Sequence, residues 1–125
     1  MIFGIGTDIV AVARMAEYWR RHGERGLEKM LAPDEREACR KSPDQARFLA
    51  KRFAAKEALG KAFGTGIRAP VLLPEISISH DELGKPVFVF SPAIAARFAE
   101  QGLVTHLSIS DEQDYAVAFV IVETT

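Results

Sequence analysis

The stretch Arg47-Phe-Leu-Ala-Lys-Arg-Phe-Ala-Ala-Lys-Glu-Ala-Leu-Gly-Lys-Ala-Phe-Gly-Thr-Gly-Ile67 decides the fold. A helix turns about 100° per residue, and at that angle the apolar side chains form one broad arc. The arc contains Phe48, Leu49, Phe53, Ala55, Leu59, Ala62 and Phe63. The sequence therefore predicts a long helix that faces the core. Gly64 and Gly66 tolerate positive φ, so we expect the helix to end there, with backbone amides close to a ligand.

A second face of this helix carries charge among small side chains. Glu57 and Lys61 lie one turn apart, and the alanines around them are expected to leave space: Ala50, Ala54 and Ala58. One interpretation is a solvated salt bridge that contributes about 0.2–0.5 kcal/mol, with the alanines present only for close packing of the helix. The other is a functional acid and base. Spacing alone favours the salt bridge.

A carboxylate in the apolar first segment also needs a partner. Residues 2–10 predict a short strand, Ile2-Phe3-Gly4-Ile5-Gly6, which runs into Thr7 and Asp8. An unpaired carboxylate is costly in apolar surroundings, so Asp8 is expected either to cap the following helix or to bind a cation. The glycines do not form a dinucleotide loop, because Ile9 stands where that motif requires glycine.

Length and composition restrict the class of protein. With 125 residues, 48% of them hydrophobic and 26% charged, the sequence predicts one soluble domain, 1–125. The net charge of −1 argues against a nucleic-acid binder, and no apolar run reaches the roughly 18 residues of a membrane span. The first residues lack the basic start of a signal peptide, so we expect a cytoplasmic protein. The single cysteine, Cys39, excludes an internal disulfide.

The rest of the chain alternates short helices and strands. Helices are expected at 11–22, from Pro33 to about Ser42 and from Pro92 to Gln101, and strands at 75–79, 86–90, 105–110 and 115–122. The last strand is apolar almost throughout, so it should be central and covered on both faces. These elements predict an α+β fold, in which a small antiparallel sheet packs with the long helix.

Two motifs carry a resemblance to a known family. Phe53-x-x-Lys56-Glu57-x-x-x-Lys61, preceded by Gly4-Ile5-Gly6-Thr7-Asp8-Ile9-Val10, resembles the signature motifs of the 4′-phosphopantetheinyl transferases. The similarity is closest to the short, single-repeat class, the holo-acyl carrier protein synthases, and covers essentially the whole chain. It implies transfer of the 4′-phosphopantetheine arm of coenzyme A to a serine of apo-acyl carrier protein. Adenosine 3′,5′-bisphosphate would leave, and the reaction would support fatty acid biosynthesis.

The resemblance also implies roles at the reaction centre. Asp8 and Glu57 would hold Mg²⁺ on the pyrophosphate of coenzyme A. Glu57 would take the serine proton, directly or through a water molecule. Lys61 would stabilise the phosphates or protonate the leaving group. Magnesium suits this donor set, since it typically takes one or two carboxylates and completes its shell with water and phosphate.

Further positions follow from the same resemblance. Pro86 and His106 would lie near the nucleotide of coenzyme A, as would the helix exit at Gly64 and Thr65. The early helix carries Arg14 and Arg21, which would dock the acidic recognition helix of the carrier protein. Many relatives carry a second histidine where this chain has Asp111, so the role of that histidine does not transfer.

Two further cations, Arg52 and Lys56, lie inside the apolar arc, where an unpaired charge is costly. A phosphate of coenzyme A would explain Arg52, and so would a carboxylate from a neighbouring subunit. Relatives of twice this length build one site between two repeats, whereas the short class forms a homotrimer with sites between protomers. His106 is therefore expected to come from the chain next to the one that supplies Asp8.

Two other interpretations remain open at the level of sequence. A different Mg²⁺-dependent nucleotide or pyrophosphate hydrolase would use the same acids and the same lysine. A trimeric binding module without enzymatic activity would carry these charges only on its surface.

Overall fold

Four helices and five strands make up the fold in a computed structural model that describes all 125 residues. In chain order they are β1 (Ile2–Ala11), α1 (Val12–Met30), α2 (Pro33–Lys41), α3 (Gln45–Phe63), β2 (Ile76–His80), β3 (Pro86–Phe90), α4 (Pro92–Gln101), β4 (Leu103–Asp111) and β5 (Tyr115–Thr124). A single 3-10 turn, Leu73–Glu75, precedes β2. The predicted α+β class is confirmed. None of the helices combines the length and the apolar character needed to cross a membrane.

The strands form two antiparallel sheets. The larger has the order β1-β5-β4, and the smaller is the β2-β3 hairpin. The last strand is therefore central, as predicted. In the larger sheet Asp8 lies opposite Ala118, and His106 lies opposite Ile121. In the hairpin Pro86 pairs with His80.

The long helix lies directly against the first strand. A Cβ atom at Gly6 would stand 1.9 Å from the carbonyl oxygen of Ala58, and one at Gly4 would stand 1.9 Å from that of Ala62. Only residues without a side chain allow the helix backbone to approach the strand this closely. The alanine face of α3 is accordingly buried at Ala50, Ala54 and Ala58. The expectation that these alanines leave open space is therefore wrong, because the strand fills it, and the alternative that they serve close packing of the helix is confirmed.

The opposite face of the larger sheet has no cover within the chain. On β5, Phe119 is 43% exposed, and on β1 Ile5 and Ile9 are 59% and 61% exposed. The other face of β5 is fully buried at Ala116, Ala118, Val120 and Val122. The prediction that β5 is covered on both faces is wrong for the single chain, because α3 packs on one face only.

Several boundaries differ from those expected. Strand β1 continues to Ala11, and Ala11 is the N-cap of α1. Asp8 therefore lies within a strand, and the interpretation of Asp8 as a helix cap is wrong. Helix α1 continues beyond residue 22, although Gly23 interrupts it with φ 52° and ψ −135°. His80 belongs to β2 and not to the turn that follows.

Candidate active site

Asp8 and Lys61 meet where β1 packs on α3. The Nζ atom of Lys61 lies 3.1 Å from Oδ1 of Asp8 and donates a hydrogen bond of 2.9 Å to the carbonyl oxygen of Thr7. Asp8 points toward α3 because it alternates along the strand with the exposed Thr7 and Ile9. The Lys61 side chain is 54% exposed, whereas that of Asp8 is 19% exposed. A solvent-accessible ammonium group therefore sits over a largely covered carboxylate.

Glu57 belongs to the same group of charges. Partial burial raises the pKa of Glu57, and the negative charge of Asp8 raises it further. Lys61 and Arg14 act in the opposite direction on the pKa of this carboxyl group. The structure thus brings Asp8, Glu57 and Lys61 together at one end of the β1–α3 contact. Two neighbouring carboxylates repel each other, and a cation between them relieves that repulsion.

The donor set fits a magnesium ion that shares its coordination with a substrate. Carboxylates are hard oxygen ligands, and Mg²⁺ commonly takes one or two of them together with water and phosphate oxygens. The structure contains no cluster of three or more His, Cys, Asp or Glu side chains that would hold a metal by protein groups alone. Asp8 and Glu57 therefore suit a metal that binds together with a phosphate-containing ligand.

The helix exit offers fewer free amides than the sequence suggests. Gly64 has φ 97° and donates its N–H to the carbonyl oxygens of Gly60 and Lys61. The N–H of Gly66 also bonds to Gly60, at 3.0 Å. The amides of these two glycines therefore close the last turn of the helix, and the close approach of this turn to a ligand stays a prediction. The amide of Thr65 makes no hydrogen bond within the chain.

A cationic cavity of about 380 Å³ opens beside the first half of α3. Its wall includes Phe48, Lys51, Arg52, His80, Pro86 and Asp111. Burial lowers the pKa of His80, and the nearby charges of Arg52 and Lys51 lower it further. Asp111 bonds to Arg47 at the rim, with 3.1 Å between Oδ2 and Nη1. The cavity thus has an excess of positive charge, which suits an anion. It brings together Arg52 and Pro86, two of the residues expected to contact the nucleotide.

A second groove, of about 270 Å³, runs along α1. Arg14 and Arg21 line it together with Tyr18, Met30 and Phe53. The guanidinium carbon of Arg14 lies 5.4 Å from the ring centroid of Phe53, which is one turn before Glu57 on α3. The basic row predicted on the early helix is therefore continuous with the acidic group at the β1–α3 contact.

His106 lies on the other side of the sheet. Its Nε2 atom is 2.6 Å from Oε1 of Glu123, on the outward face that also carries Phe119 and Ile121. Asp8 points from the same sheet toward α3, so the sheet separates the two side chains. A single chain therefore does not bring His106 to the group formed by Asp8, Glu57 and Lys61.

The sequence did not reveal the partner of Arg52 and Lys56. Both bind Glu35 in α2: Lys56 Nζ lies 2.6 Å from Oε1, and Arg52 Nη1 lies 2.8 Å from Oε2. The expectation of a carboxylate from a neighbouring subunit is therefore wrong, since the carboxylate belongs to the same chain. Pro33-Asp34-Glu35 was recognisable as a helix start, but no local pattern distinguishes a buried glutamate there from an exposed one.

Burial lowers the pKa of Lys56 to about 8, although the charge of Glu35 favours the protonated form. The hydrogen bonds show which form the site accommodates. Besides Glu35, Lys56 Nζ donates to the carbonyl oxygens of Met30 at 2.8 Å and Leu73 at 3.0 Å. Three acceptors match the three donors of an ammonium group, whereas a neutral amine has only two. Lys56 is therefore held as a cation.

Comparison with known proteins identifies the family to which the chain belongs. The family model described as the 4′-phosphopantetheinyl transferase superfamily matches residues 4–120. The holo-[acyl-carrier-protein] synthase of Dechloromonas aromatica (strain RCB) is 56% identical over 123 residues, which are 98% of each chain. The crystal structure of the Neisseria meningitidis holo-[acyl-carrier-protein] synthase has a TM-score of 0.95 at 45% identity, covering 99% of this chain and 100% of that one.

A further solved relative contains a ligand. The holo-[acyl-carrier-protein] synthase of Helicobacter pylori, in complex with coenzyme A, has a TM-score of 0.82 at 31% identity, covering 95% of this chain and 99% of that one. The chain belongs to the 4′-phosphopantetheinyl transferase superfamily. Along nearly its whole length it is similar to the holo-acyl carrier protein synthases within that superfamily. The family resemblance and the expectation of an enzyme of this family are confirmed.

Proposed function

We propose that this protein transfers the 4′-phosphopantetheine group of coenzyme A to a serine of an apo-acyl carrier protein, with Mg²⁺ as cofactor. The observation that carries the proposal is the convergence of Asp8, Glu57 and Lys61, two hard oxygen ligands and one mobile cation. The similarity to relatives named for this activity supports it, as does the coenzyme A complex of the Helicobacter pylori relative. We place the reaction in the cytoplasm and in the supply of carrier protein for fatty acid biosynthesis.

The proposed reaction exchanges one phosphorus–oxygen bond for another. The serine oxygen of the carrier protein attacks the phosphorus atom that bears the pantetheine arm. The bond from that phosphorus to the bridging oxygen of the pyrophosphate breaks, and adenosine 3′,5′-bisphosphate leaves with the bridging oxygen. The serine proton passes to a base. Negative charge spreads over the phosphate oxygens in the transition state, so catalysis depends mainly on positioning and on nearby positive charge.

The residues of this chain have separate parts in that reaction. Asp8 and Glu57 would hold the Mg²⁺ ion, which when bound supplies positive charge to the pyrophosphate. Glu57 is our candidate for the base, and because a carboxylate that holds a metal ion is a weak base, we favour transfer of the serine proton through a water molecule. The exposed ammonium group of Lys61 can turn from Asp8 to the phosphates or to the leaving oxygen.

We assign the cationic cavity to the nucleotide part of coenzyme A. Arg52 and Glu57 are five residues apart on one helix, which corresponds to about 7.5 Å along its axis and about 140° around it. An extended ligand that contacts both would therefore pass along the helix and partly around it. Arg52 and Pro86 would contact the nucleotide there, and the free amide of Thr65, next to Gly64, would face the ligand at the helix exit.

We further propose that three copies of the chain assemble through the open face of the larger sheet. Exposed Phe119, Ile5 and Ile9 form an apolar surface of the kind that marks an interface between proteins. His106 lies on this surface, on the side of the sheet opposite Asp8. A neighbouring copy would thus supply His106 to the nucleotide, and each site would lie between two protomers of a homotrimer.

The groove on α1 is the proposed docking site of the carrier protein. Its arginines, Arg14 and Arg21, suit an acidic recognition helix, because complementary charge steers encounter and fixes register. Arg14 also lies close enough to Glu57 to lower its pKa. A carrier helix in this groove would hold its serine near the proposed base.

One experiment separates the proposal from its alternatives. The protein is incubated with coenzyme A, Mg²⁺ and an apo-acyl carrier protein, and the carrier is then weighed by mass spectrometry. A gain equal to one phosphopantetheine group is expected, together with release of adenosine 3′,5′-bisphosphate. Release of the nucleotide without a gain in carrier mass would identify a hydrolase. Binding of coenzyme A with neither product would identify a binding module.

A further inference from the structure

The carboxylate of Glu35 is buried and fully hydrogen-bonded. Its side chain is 1% exposed. Oε1 accepts from the backbone amide of Ala32 at 2.9 Å and from Lys56 at 2.6 Å. Oε2 accepts from Arg52 at 2.8 Å and from the backbone amide of Ile78 at 3.0 Å. Four donors thus converge on one carboxylate, and they come from α3, from β2 and from the start of α2.

The two cations extend this cluster to other elements. Lys56 also bonds to the carbonyl oxygen of Met30 at the end of α1 and to that of Leu73 in the 3-10 turn. Arg52 uses the same Nη1 atom for Glu35 and for the carbonyl oxygen of Ile78, at 2.6 Å. Helix α3 is therefore tied through two adjacent turns to α1, to α2 and to β2. None of these contacts involves the face that packs on β1.

The position of Lys56 next to Glu57 gives the cluster a geometric consequence. Adjacent residues of a helix point about 100° apart, so any rotation of α3 that moves Lys56 moves Glu57 by the same angle. At Gly4 and Gly6 the contact of α3 with β1 is made by small residues and backbone atoms, and side chains join the two elements at the Asp8–Lys61 ion pair and at Phe3 and Phe63. On the other side of α3, the three acceptors around Lys56 also resist such a rotation, because each sits within hydrogen-bond distance of one ammonium group.

Stability alone does not account for this cluster. Buried ion pairs often contribute little to stability, because desolvation offsets their attraction, and apolar residues of similar volume frequently serve as well. Here two cations share one carboxylate, so the buried group keeps an excess positive charge. Arg52 reaches from this group into the wall of the cationic cavity, while Lys56 is covalently joined to Glu57. The carboxylate of Glu35 thus holds Arg52, which lines the cationic cavity, and Lys56, which precedes Glu57 in the helix.

We propose that Glu35 and Lys56 are positioning residues of this enzyme. They fix the rotation of α3 about its own axis, and this rotation sets the direction in which Glu57 faces Asp8. Through Arg52 they also set the orientation of the cavity wall. The inference rests on the proposed transferase function for its kinetic consequences. Its consequence for metal binding does not depend on that function.

The test compares Lys56→Met with Ile94→Ala. Lys56→Met keeps an unbranched side chain that is one atom shorter, removes the ammonium group, and leaves Arg52 and Glu35 as a neutral pair. Ile94 is fully buried in α4, outside the cluster, and its truncation lowers stability by creating a cavity. The thermal midpoint of each variant is measured first. At a temperature where both are folded, kcat, KM for coenzyme A and the dissociation constant of Mn²⁺ in the presence of coenzyme A are then determined.

For Lys56→Met we expect kcat to fall about 10- to 100-fold and the Mn²⁺ dissociation constant to rise by a similar factor. KM for coenzyme A should change by about threefold or less, because the loss lies in the alignment of Glu57. Ile94→Ala should keep kcat within about twofold at an equal or larger loss of thermal midpoint. Glu35→Gln, which preserves shape, should lower kcat and the affinity for Mn²⁺ as Lys56→Met does, and it replaces Lys56→Met in these two measurements if that variant does not fold.

Two outcomes would overturn the inference. One is a folded Lys56→Met with the kcat and Mn²⁺ affinity of the unaltered protein. The other is an equal loss in Ile94→Ala, which would reduce the effect to general destabilisation. If the unaltered protein transfers nothing to the carrier, the proposed function fails. The inference about Glu35 and Lys56 is then decided by the Mn²⁺ dissociation constants alone.

Discussion

The ammonium group of Lys61 lies 3.1 Å from a carboxylate oxygen of Asp8, although 53 residues separate the two in the chain. The same group bonds to the carbonyl oxygen of Thr7, so the lysine rests on the strand beside the acid. More than half of the Lys61 side chain is exposed, whereas that of Asp8 is only 19% exposed. Lys61 is therefore free to turn toward a phosphate, provided that another cation, such as the proposed Mg²⁺ ion, compensates the carboxylate of Asp8.

Lys61→Ala should lower kcat for transfer to the carrier protein by about 10²- to 10³-fold. Removing one group that stabilises transition-state charge typically costs about 2.7–4 kcal/mol. The thermal midpoint should change little, because the side chain is largely exposed. Lys41→Ala provides the control, since Lys41 is an exposed helix lysine in an ion pair with Glu37. If the two variants have equal kcat values, the proposed role of Lys61 in the reaction is wrong.

Glu57→Gln should raise the thermal midpoint at neutral pH. The folded protein raises the pKa of Glu57 above its ordinary value of 4.5, so between the two pKa values the folded state binds more protons than the unfolded state. The free energy of unfolding therefore falls as pH rises through this interval, and above it the ionised carboxylate destabilises the folded state. Glutamine carries no charge, so Glu57→Gln removes this destabilisation.

The stabilisation in Glu57→Gln should shrink as the pH is lowered through this interval and vanish below about 4.5, where both states of the unaltered protein are protonated. Thermal unfolding across the pH range measures the difference. Glu100→Gln, at an exposed position of α4, is the matched control. Its difference in thermal midpoint from the unaltered protein should not shrink in this way as the pH is lowered. A Glu57→Gln protein that is less stable than its parent at neutral pH would contradict the environment described for Glu57.

Arg21→Glu should raise KM for the carrier protein about tenfold or more and leave KM for coenzyme A unchanged. Reversing one charge in the groove turns an attraction to an acidic helix into repulsion. The effect should diminish with added salt, because exposed charges are screened. Arg20→Glu is a close control, because Arg20 lies on the same helix but pairs with Glu17 and does not line the groove. Similar effects of the two substitutions would indicate a general charge effect instead of docking.

Phe119→Asp should convert the proposed homotrimer into monomers and abolish transfer. A carboxylate on the outward face is tolerated by the single chain but cannot be buried between copies without great cost. Sedimentation velocity measures the assembly. Val89→Asp, at a 51% exposed position of the β2-β3 hairpin, should remain trimeric. The trimer proposal fails if the unaltered protein is a monomer with full activity.

Local patterns predicted the elements well. The apolar arc and the glycine exit located α3, and Gly64 does end it in the left-handed conformation. The alternating pattern of the β2-β3 hairpin and the apolar run of β5 were likewise sufficient, because each depends on neighbours within a few residues. The paired motifs predicted a common site for Asp8 and Glu57, and the contact of β1 with α3 brings the two carboxylates close enough for Asp8 to raise the pKa of Glu57.

Features that depend on distant residues were not predictable in this way. Glu35 precedes Lys56 by 21 residues, and its burial follows from how α2 folds across α3. The alanine face of α3 looked open, because the sequence does not reveal that Gly4 and Gly6 bring the strand onto it. Coverage of β5 was misjudged for a related reason: apolar side chains indicate that a face will be covered, but not whether the same chain covers it.

The contact at Gly4 and Gly6 has a bearing on how this protein tolerates change. A single added methyl group at either position would collide with the main chain of α3, which cannot turn aside as a flexible side chain can. In a library that substitutes every position in turn, these two glycines should rank with Asp8 among the least replaceable residues of the first strand. Near the proposed reaction centre, the absence of a side chain at two positions would then be as strict a requirement as the carboxylate of Asp8.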